Sequence, residues 1–166
     1  MAANMFVSIK DIPGDATEEK HIGWIPVKTV GWSVERVVDL SDLGSTQRGY
    51  ANANFAKLAV TSELGKASPK LMLAAANGTV RDEIKVAQCR VTDDKDSAME
   101  EYLVWTLKNA QITKYDLSCS EDGVPEETWE MGYRQIDVEL QIVDAATFKK
   151  GAKEVFKWNL ETNKYA

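Results

Sequence analysis

The sequence predicts a mainly β fold, with a sheet that closes or nearly closes into a compact barrel. Three observations support this. Apolar residues recur at every second position in several segments, two of the predicted strands change phase by one residue, and one segment carries clear start and stop signals for a helix. The 166 residues match the length of about one domain, so we expect a single domain over residues 1–166.

The clearest strand runs from Arg134 to Ile142. Its apolar side chains alternate with polar ones, a pattern that buries one face of a strand and leaves the other in water. The apolar set is Ile136, Val138, Leu140 and Ile142. The same alternation occurs at Phe156, Trp158 and Leu160, and Met5–Ile9 has the composition of a short strand. Both ends of the chain are therefore predicted to be sheet.

Two other predicted strands contain a slip in this alternation. The first slip, at Lys28-Thr29, separates Ile25 and Val27 from Val30, Trp32 and Val34. The second, across Ala87-Gln88, separates Ile84 and Val86 from Cys89 and Val91. A bulge inserts one residue and bends a strand, which lets it turn the corner of a barrel or serve two sheets. Two bulged strands therefore favour a closed sheet over a flat one.

One helix is predicted, from Pro69 to Ala76. Ser68 can cap the free backbone donors, proline suits the first helical position, and Asn77-Gly78 supplies a left-handed stop. A helix of about two turns is marginal alone, so we expect it to close one end of the barrel. The side chains expected to contact the sheet are Leu71, Met72 and Ala75.

Two windows match both the helical and the strand pattern. Residues 55–64 leave the choice open. Residues 99–110 are richer in β-formers and favour a strand, which the acidic turn at 93–97 would join to the preceding strand as a hairpin. Two polar segments, 39–50 and 118–128, are predicted to be loops.

Composition and charge exclude several classes of function. The chain has 20 basic and 26 acidic residues and a net charge of −6, which argues against binding nucleic acid. No window reaches the roughly 18 apolar residues of a transmembrane helix, and the N-terminus resembles no cleaved signal peptide. We therefore expect a protein made in the cytoplasm, with neither membrane insertion nor a cleaved leader.

The side chains that usually carry catalysis are scarce. His21 is the only histidine, and it is predicted to lie in a turn before a strand, bonded to the backbone. Cys89 and Cys119 are expected to stay reduced, although a disulfide between distant strands is left open. Neighbouring glutamates on a strand point to opposite faces, so Glu100-Glu101 and Glu126-Glu127 are not dyads. We expect no catalytic residues, no cofactor and no metal ion.

Several segments, taken together and in order, resemble the Hcp family, the haemolysin-coregulated proteins of bacterial type VI secretion. The resemblance begins with M-F-V-S-I-K-D-I-P-G-D-A-T-E-E-K-H-I-G-W-I-P-V and V-G-W-S-V. It continues with F-A-K at 55–57, A-S-P-K-L-M-L-A-A-A-N-G at 67–78, E-Y-L-V-W-T-L-K-N-A at 101–110 and F-K-W-N at 156–159. Each motif is short, but the ordered set spans nearly the whole chain.

The resemblance implies a barrel of two packed sheets with a short flanking helix, and a homo-hexameric ring with an open centre. It implies stacked rings that form the inner tube of a contractile injection machine, with a VgrG-type spike, a contractile sheath and secreted effectors as partners. It also implies secretion through that machine. In a ring, each subunit uses two different surfaces, and successive rotations close the circle. We expect Leu40, Leu43 and Tyr50 to contact a neighbouring subunit or ring.

Two other classes stay open from the residues alone. A monomeric β-barrel that binds a small ligand would need a deep apolar cavity. An enzyme would have to use the acidic segment 121–127, which is the densest cluster of titratable groups.

Overall fold

A computed structural model describes residues 3–36, 53–90, 99–144, 146–147 and 149–166. Within these residues the chain forms twelve strands and one helix. In chain order they are β1 (Met5–Ile9), β2 (Ile25–Pro26), β3 (Thr29–Gly31), β4 (Val34–Arg36), β5 (Ala53–Phe55), β6 (Leu58–Glu63), α1 (Ser68–Asn77), β7 (Arg81–Arg90), β8 (Glu100–Ser118), β9 (Glu126–Gly132), β10 (Gln135–Val143), β11 (Lys150–Asn159) and β12 (Lys164–Tyr165).

The 19-residue strand β8 organises the sheet. Its first half lies between β7 and β10, and its second half pairs with β9. The chain continues from β9 to β10 along the same edge of β8, and β6 then pairs with β9 while β11 pairs with β10. One long strand thus belongs to two sheets, and the mainly β architecture with one short helix is confirmed.

The barrel closes where the chain passes from β2 to β3. β2 pairs with β1, and β3 pairs with β6. Between them the amide of Val27 donates to the carbonyl of Met5 at 3.0 Å, and the amide of Lys28 donates to the carbonyl of Thr61 at 2.7 Å. These two bonds link the edge of the first sheet to the edge of the second.

The segment from Ile25 to Val34 differs from its prediction. Instead of one bulged strand it forms three short strands, β2, β3 and β4, with three different partners. Pro26 has no amide hydrogen to donate to a ladder, and the chain leaves β1 one residue later. The slip at Lys28-Thr29 therefore marks a change of partner.

The second slip is confirmed as a bulge. The ladder between β7 and β8 shifts register between Gln88 and Cys89, within one residue of the predicted position. Two further shifts lie between Ile112 and Lys114 in β8 and between Gln141 and Val143 in β10. Such shifts increase local twist and bend the strands around the core.

Helix α1 is confirmed and its stop is as predicted. Gly78 is left-handed at φ +63°, and its amide donates to the carbonyl of Ala74 at 3.1 Å. The start differs, because Ala67 occupies the cap position and the Ser68 hydroxyl accepts from the Gly65 amide at 2.9 Å. The predicted contact through Met72 is wrong, since that side chain is 37% exposed.

The buried face of α1 consists of Ser68, Leu71 and Ala74. Their spacing of three residues defines a narrow stripe, and Met72 lies about 100° away from Leu71 around the helix. Ala75 is partly buried against the core, as expected.

The two ambiguous windows are both strands. Residues 58–63 form β6, and residues 100–110 form the first half of β8. The core lies inside the barrel, where its largest members are fully buried. They include Leu58, Leu71, Ile84, Leu107, Ile112, Trp129, Met131 and Ile136. The predicted loop at 118–128 is shorter than expected, because β9 begins at Glu126. The predicted turn at 93–97 lies outside the described residues.

Candidate assembly surface

The first exposed feature is an apolar strip at the N-terminal end of β8 and the C-terminal end of β10. Leu140 pairs with Leu103 of β8, and Ile142 follows at the next alternate position. Both were predicted to be buried, but Leu140 is 41% exposed and Ile142 is 44% exposed. The prediction is wrong because β10 extends past the barrel, so its C-terminal end is not covered by the opposite sheet. This apolar strip is an uncovered continuation of the core face.

An aromatic cluster attaches a small hairpin to the same sheet, beside the N-terminal half of β10. The members are Trp32, Phe55, Phe156 and Trp158. Phe55 stacks on Trp158 with 5.6 Å between ring centroids. Because Phe55 belongs to β5, this contact fixes the β4–β5 hairpin against β11. The residues predicted to contact a neighbour, Leu40, Leu43 and Tyr50, lie between these two strands and outside the described residues.

A basic strand edge lies beside the apolar strip. β11 carries Lys150, Lys153 and Lys157, and Lys149 directly precedes it. β12 pairs only with Trp158 and Asn159, so within the described residues the outer side of β11 from Lys150 to Val155 has no strand partner. Residues 150–155 are all exposed. An unpaired edge of this kind is a template for association with another chain, and lysines along it limit unwanted pairing.

His21 lies in the turn before β2, as predicted, and its imidazole belongs to a buried polar cluster. Its Nδ1 bonds the carboxylate of Glu18, and its Nε2 lies 3.0 Å from Oε1 of Glu101. The imidazole is fully buried, stacked on Phe6 at 4.6 Å and edge-on to Trp24 at 4.8 Å. The predicted turn is therefore confirmed, but the ring bonds carboxylates rather than the backbone, and the cluster ties residues 18–24 to β8.

The geometry of this cluster argues against a nucleophilic cysteine. The thiol of Cys89 lies 3.8 Å from Nε2 of His21. Burial and the nearby charge of Glu101 raise the pKa of that thiol to about 12. A nucleophilic cysteine needs a lowered pKa, so Cys89 stays protonated and unreactive near neutral pH. Cys119 is exposed, and both thiols are free.

The acidic pair on β9 also fails as a dyad. Glu127 is buried and accepts hydrogen bonds from the Ser62 hydroxyl at 2.7 Å and the Tyr115 hydroxyl at 2.6 Å. Glu126 points to the other face and forms an ion pair with Lys28 at 2.6 Å. The prediction of opposite faces is confirmed, and the two carboxylates cannot act on one substrate.

Sequence reasoning missed both polar clusters for the same reason. Glu101, the second partner of His21, is 80 residues away in sequence, and Ser62 and Tyr115, the partners of Glu127, are 65 and 12 residues away on other strands. The spacing of Glu18 and His21, three residues apart, was the one local signal. Among the described residues, no group of three or more histidine, cysteine, aspartate or glutamate side chains could hold a metal ion. None of the helices in the same residues could span a membrane.

Comparisons with known proteins identify the family. The family model "Type VI secretion system effector, Hcp" matches residues 6–140. Protein hcp1 of Pseudomonas aeruginosa is 26% identical over 165 residues, which cover 98% of each chain. A solved structure described as that of a type six secretion system protein matches with a TM-score of 0.85 and 25% identity, covering 99% of this chain and 100% of the other.

Hcp1 from Salmonella typhimurium shares the fold, with a TM-score of 0.75, 20% identity and full coverage of both chains. These comparisons give no support to a monomeric ligand-binding barrel. The family model covers most of the chain, and the architecture agrees with it over nearly the full length. The chain belongs to the Hcp family, and it is a tube subunit of the type VI secretion system.

Proposed function

We propose that six copies of this chain form a ring with an open centre, and that the rings stack into the inner tube. The observation that supports this most directly is the uncovered end of β10, where Leu140 and Ile142 continue the buried face of the sheet into solvent. Exposed apolar positions next to an unpaired strand edge mark a surface that another chain covers.

The proposed ring needs two different surfaces on each subunit. A heterologous interface joins unlike patches and closes when successive rotations complete a circle. The apolar strip and the edge of β11 form the first patch. We propose Leu40, Leu43 and Tyr50 as further contacts to the neighbouring subunit or ring, because they lie in sequence between the two strands of a hairpin that the aromatic cluster holds beside β11.

In this proposal the domain is a single Hcp-like barrel over residues 1–166. It is made in the bacterial cytoplasm and leaves through the type VI machine. Its partners are a VgrG-type spike, contractile sheath proteins and secreted effectors carried in the lumen, with neither nucleic acid nor membrane insertion involved. We propose that it has no catalytic activity of its own. The raised pKa of Cys89 and the opposed directions of Glu126 and Glu127 support this last point.

The mass of the purified protein in solution tests the proposal. Size-exclusion chromatography with light scattering should give six times 18.5 kDa, and electron microscopy should show rings. The double variant Leu140→Glu/Ile142→Glu should shift the population towards monomers, because it places charge in a surface meant to be buried.

Leu73→Glu is a matched control. Leu73 is 61% exposed on α1, outside the apolar strip, so this variant should keep the wild-type mass. A wild-type chain that stays monomeric at high concentration would contradict the proposed ring. Rings that persist in the double variant would contradict the role of the apolar strip.

A further inference from the structure

The side chain of His21 lies between two carboxylates from different parts of the chain. Its Nδ1 bonds Glu18 in the same turn, and its Nε2 lies 3.0 Å from Oε1 of Glu101 at the start of β8. An ionised carboxylate can only accept hydrogen bonds, so each ring nitrogen has to donate to its neighbour. We call these three side chains the histidine latch.

Both carboxylates of the latch are ionised near neutral pH. Lys85 of β7 donates to the two oxygens of Glu101 at 3.2 and 3.0 Å, which stabilises that carboxylate as an anion. Burial raises the pKa of Glu18, but hydrogen bonds from the ring and from the amide of Lys20 outweigh it and keep that pKa below its ordinary 4.5. The ring therefore faces two negative charges.

An imidazole between two ionised carboxylates needs a proton on each nitrogen. The neutral ring has one N–H donor and one acceptor lone pair, so one lone pair would face a carboxylate oxygen. Since His21 is fully buried, water cannot separate the two. Burial by itself disfavours a charged ring. Two charge-assisted hydrogen bonds and stacking on Phe6 at 4.6 Å offset that cost.

The other titratable groups around the latch keep their charge state between neutral and mildly alkaline pH. Lys20 of the turn and Lys150 of β11 both pair with Glu100, at 2.6 and 3.1 Å. Cys89 of β7 lies 3.8 Å from Nε2, and burial raises the pKa of its thiol to about 12. Its S–H is a weak donor at that distance. Among the described groups that face the latch, the ring is therefore the one whose charge can change in this range.

The latch fastens residues 14–24 to the sheet. Backbone hydrogen bonds of 2.8–3.0 Å within this segment make it one unit. Its Ala16 packs with Phe6 and Cys89 in an apolar cluster separate from the barrel core. The same segment forms one wall of a groove of about 950 Å³. Opening the latch would therefore expose the small apolar cluster and widen the groove.

We infer that His21 is a pH-sensitive latch, which fastens residues 14–24 to β8 as an imidazolium and releases them when rising pH removes one ring proton. The neutral ring keeps one hydrogen bond, and its lone pair then faces the other carboxylate. The stabilisation is present below the ordinary histidine range of about pH 6.5 and is lost as the folded ring deprotonates. The inference goes beyond the proposed ring and does not depend on it, because every group of the latch belongs to one chain.

Nitrogen NMR of the untagged protein labelled with ¹⁵N-histidine tests the protonation state. Every signal belongs to His21, because the chain has one histidine. An ordinary histidine is mostly neutral at about pH 7, whereas we expect protons on both nitrogens of His21. Sedimented samples and magic-angle spinning make the measurement independent of particle mass.

Two matched variants identify the cause. In Glu101→Gln the new amide can donate to Nε2, so a neutral ring satisfies both neighbours, and we expect a proton on Nδ1 alone at about pH 7. The control Glu100→Gln removes the same charge from the adjacent residue, which pairs with Lys20 and Lys150 instead of the ring. It should leave both ring nitrogens protonated. A merely structural role of Glu101 would not change the protonation of the ring.

Hydrogen exchange measures the release of the segment. After correction for the intrinsic rates, protection of residues 14–24 should fall at least about tenfold between about pH 6.5 and about pH 9 in the wild type and in Glu100→Gln, because a charge-assisted bond is lost. In Glu101→Gln it should change less than about twofold. Protection around Leu107 in the core should stay constant in all three proteins.

Two results would overturn the inference. One is a wild-type ring with a single protonated nitrogen at about pH 7. The other is protection of residues 14–24 that does not fall with rising pH, or that falls equally in Glu101→Gln. Neither result bears on the proposed ring, which light scattering tests separately.

Discussion

Replacing Tyr115 with phenylalanine removes one of two hydrogen bonds to a buried carboxylate. The hydroxyl donates to Oε2 of Glu127 at 2.6 Å, and Ser62 donates to Oε1 at 2.7 Å. Glu127 is 1% exposed, so water cannot replace the lost donor. A hydrogen bond to a charged group contributes about 1.5–3 kcal/mol, and an unsatisfied buried acceptor loses most of it. We expect Tyr115→Phe to lower the free energy of unfolding by about 2 kcal/mol.

Thermal and urea unfolding measure this loss. For a chain of this length, about 2 kcal/mol corresponds to a decrease in Tm of about 4–8 °C. All samples need the same protein concentration, because assembly adds to apparent stability. In a Glu127→Gln background the acceptor is neutral, so Tyr115→Phe should cost less, and the double-mutant cycle isolates the pair. A Tyr115→Phe protein within about 0.5 kcal/mol of the wild type would refute the reasoning.

Three further predictions concern thiols, backbone packing and acid. Iodoacetamide should modify exposed Cys119 in the folded protein and Cys89 only after unfolding, because burial raises the pKa of the Cys89 thiol to about 12. Mass spectrometry measures the labelling of each thiol, and labelling of Cys89 in the folded protein would contradict this prediction. Gly14→Ala should lower the free energy of unfolding by about 3 kcal/mol, because the new Cβ would lie 2.5 Å from the backbone Cα of Ile25. Gly31→Ala is the control and should be nearly neutral, because its new Cβ would meet no atom closer than 4.0 Å. Burial raises the pKa of Glu18, but hydrogen bonds from the buried imidazole and a turn amide outweigh it and hold that pKa below its ordinary 4.5. The Glu18 carboxylate then stabilises the fold above about pH 4.5 and loses this effect as the pH falls through the lowered folded value. Glu18→Gln should therefore be less stable than the wild type near neutral pH, with the difference shrinking in acid, and a constant difference would contradict this.

Local sequence patterns predicted most of the strands and the helix. The alternation at 134–142 identifies β10, and the slip beside Cys89 identifies a bulge. Pro69 marks the start of α1, and Asn77 and Gly78 mark its end. These features follow from two or three neighbouring residues, which is why a sequence pattern can detect them.

Burial on the outer strands could not be predicted in this way. Leu140 has the same local pattern as Ile136, yet Ile136 lies over the barrel and Leu140 beyond it. Whether an alternating strand is covered depends on what packs opposite, and the sequence spacing does not encode that. The same limit applies to His21, whose second carboxylate lies 80 positions away. The proposed contacts at Leu40, Leu43 and Tyr50 remain predictions.

The sharing of β8 between two sheets has a mechanical consequence. A load applied along this strand acts on the hydrogen bonds of the ladders beside it together and in shear, rather than opening them one after another. The same strand carries Leu107 and Ile112 into the core, so it cannot slide without opening the barrel. A subunit built around such a strand should resist extension along that direction far better than peeling from the free side of β11, and single-molecule pulling in the two directions would measure the difference.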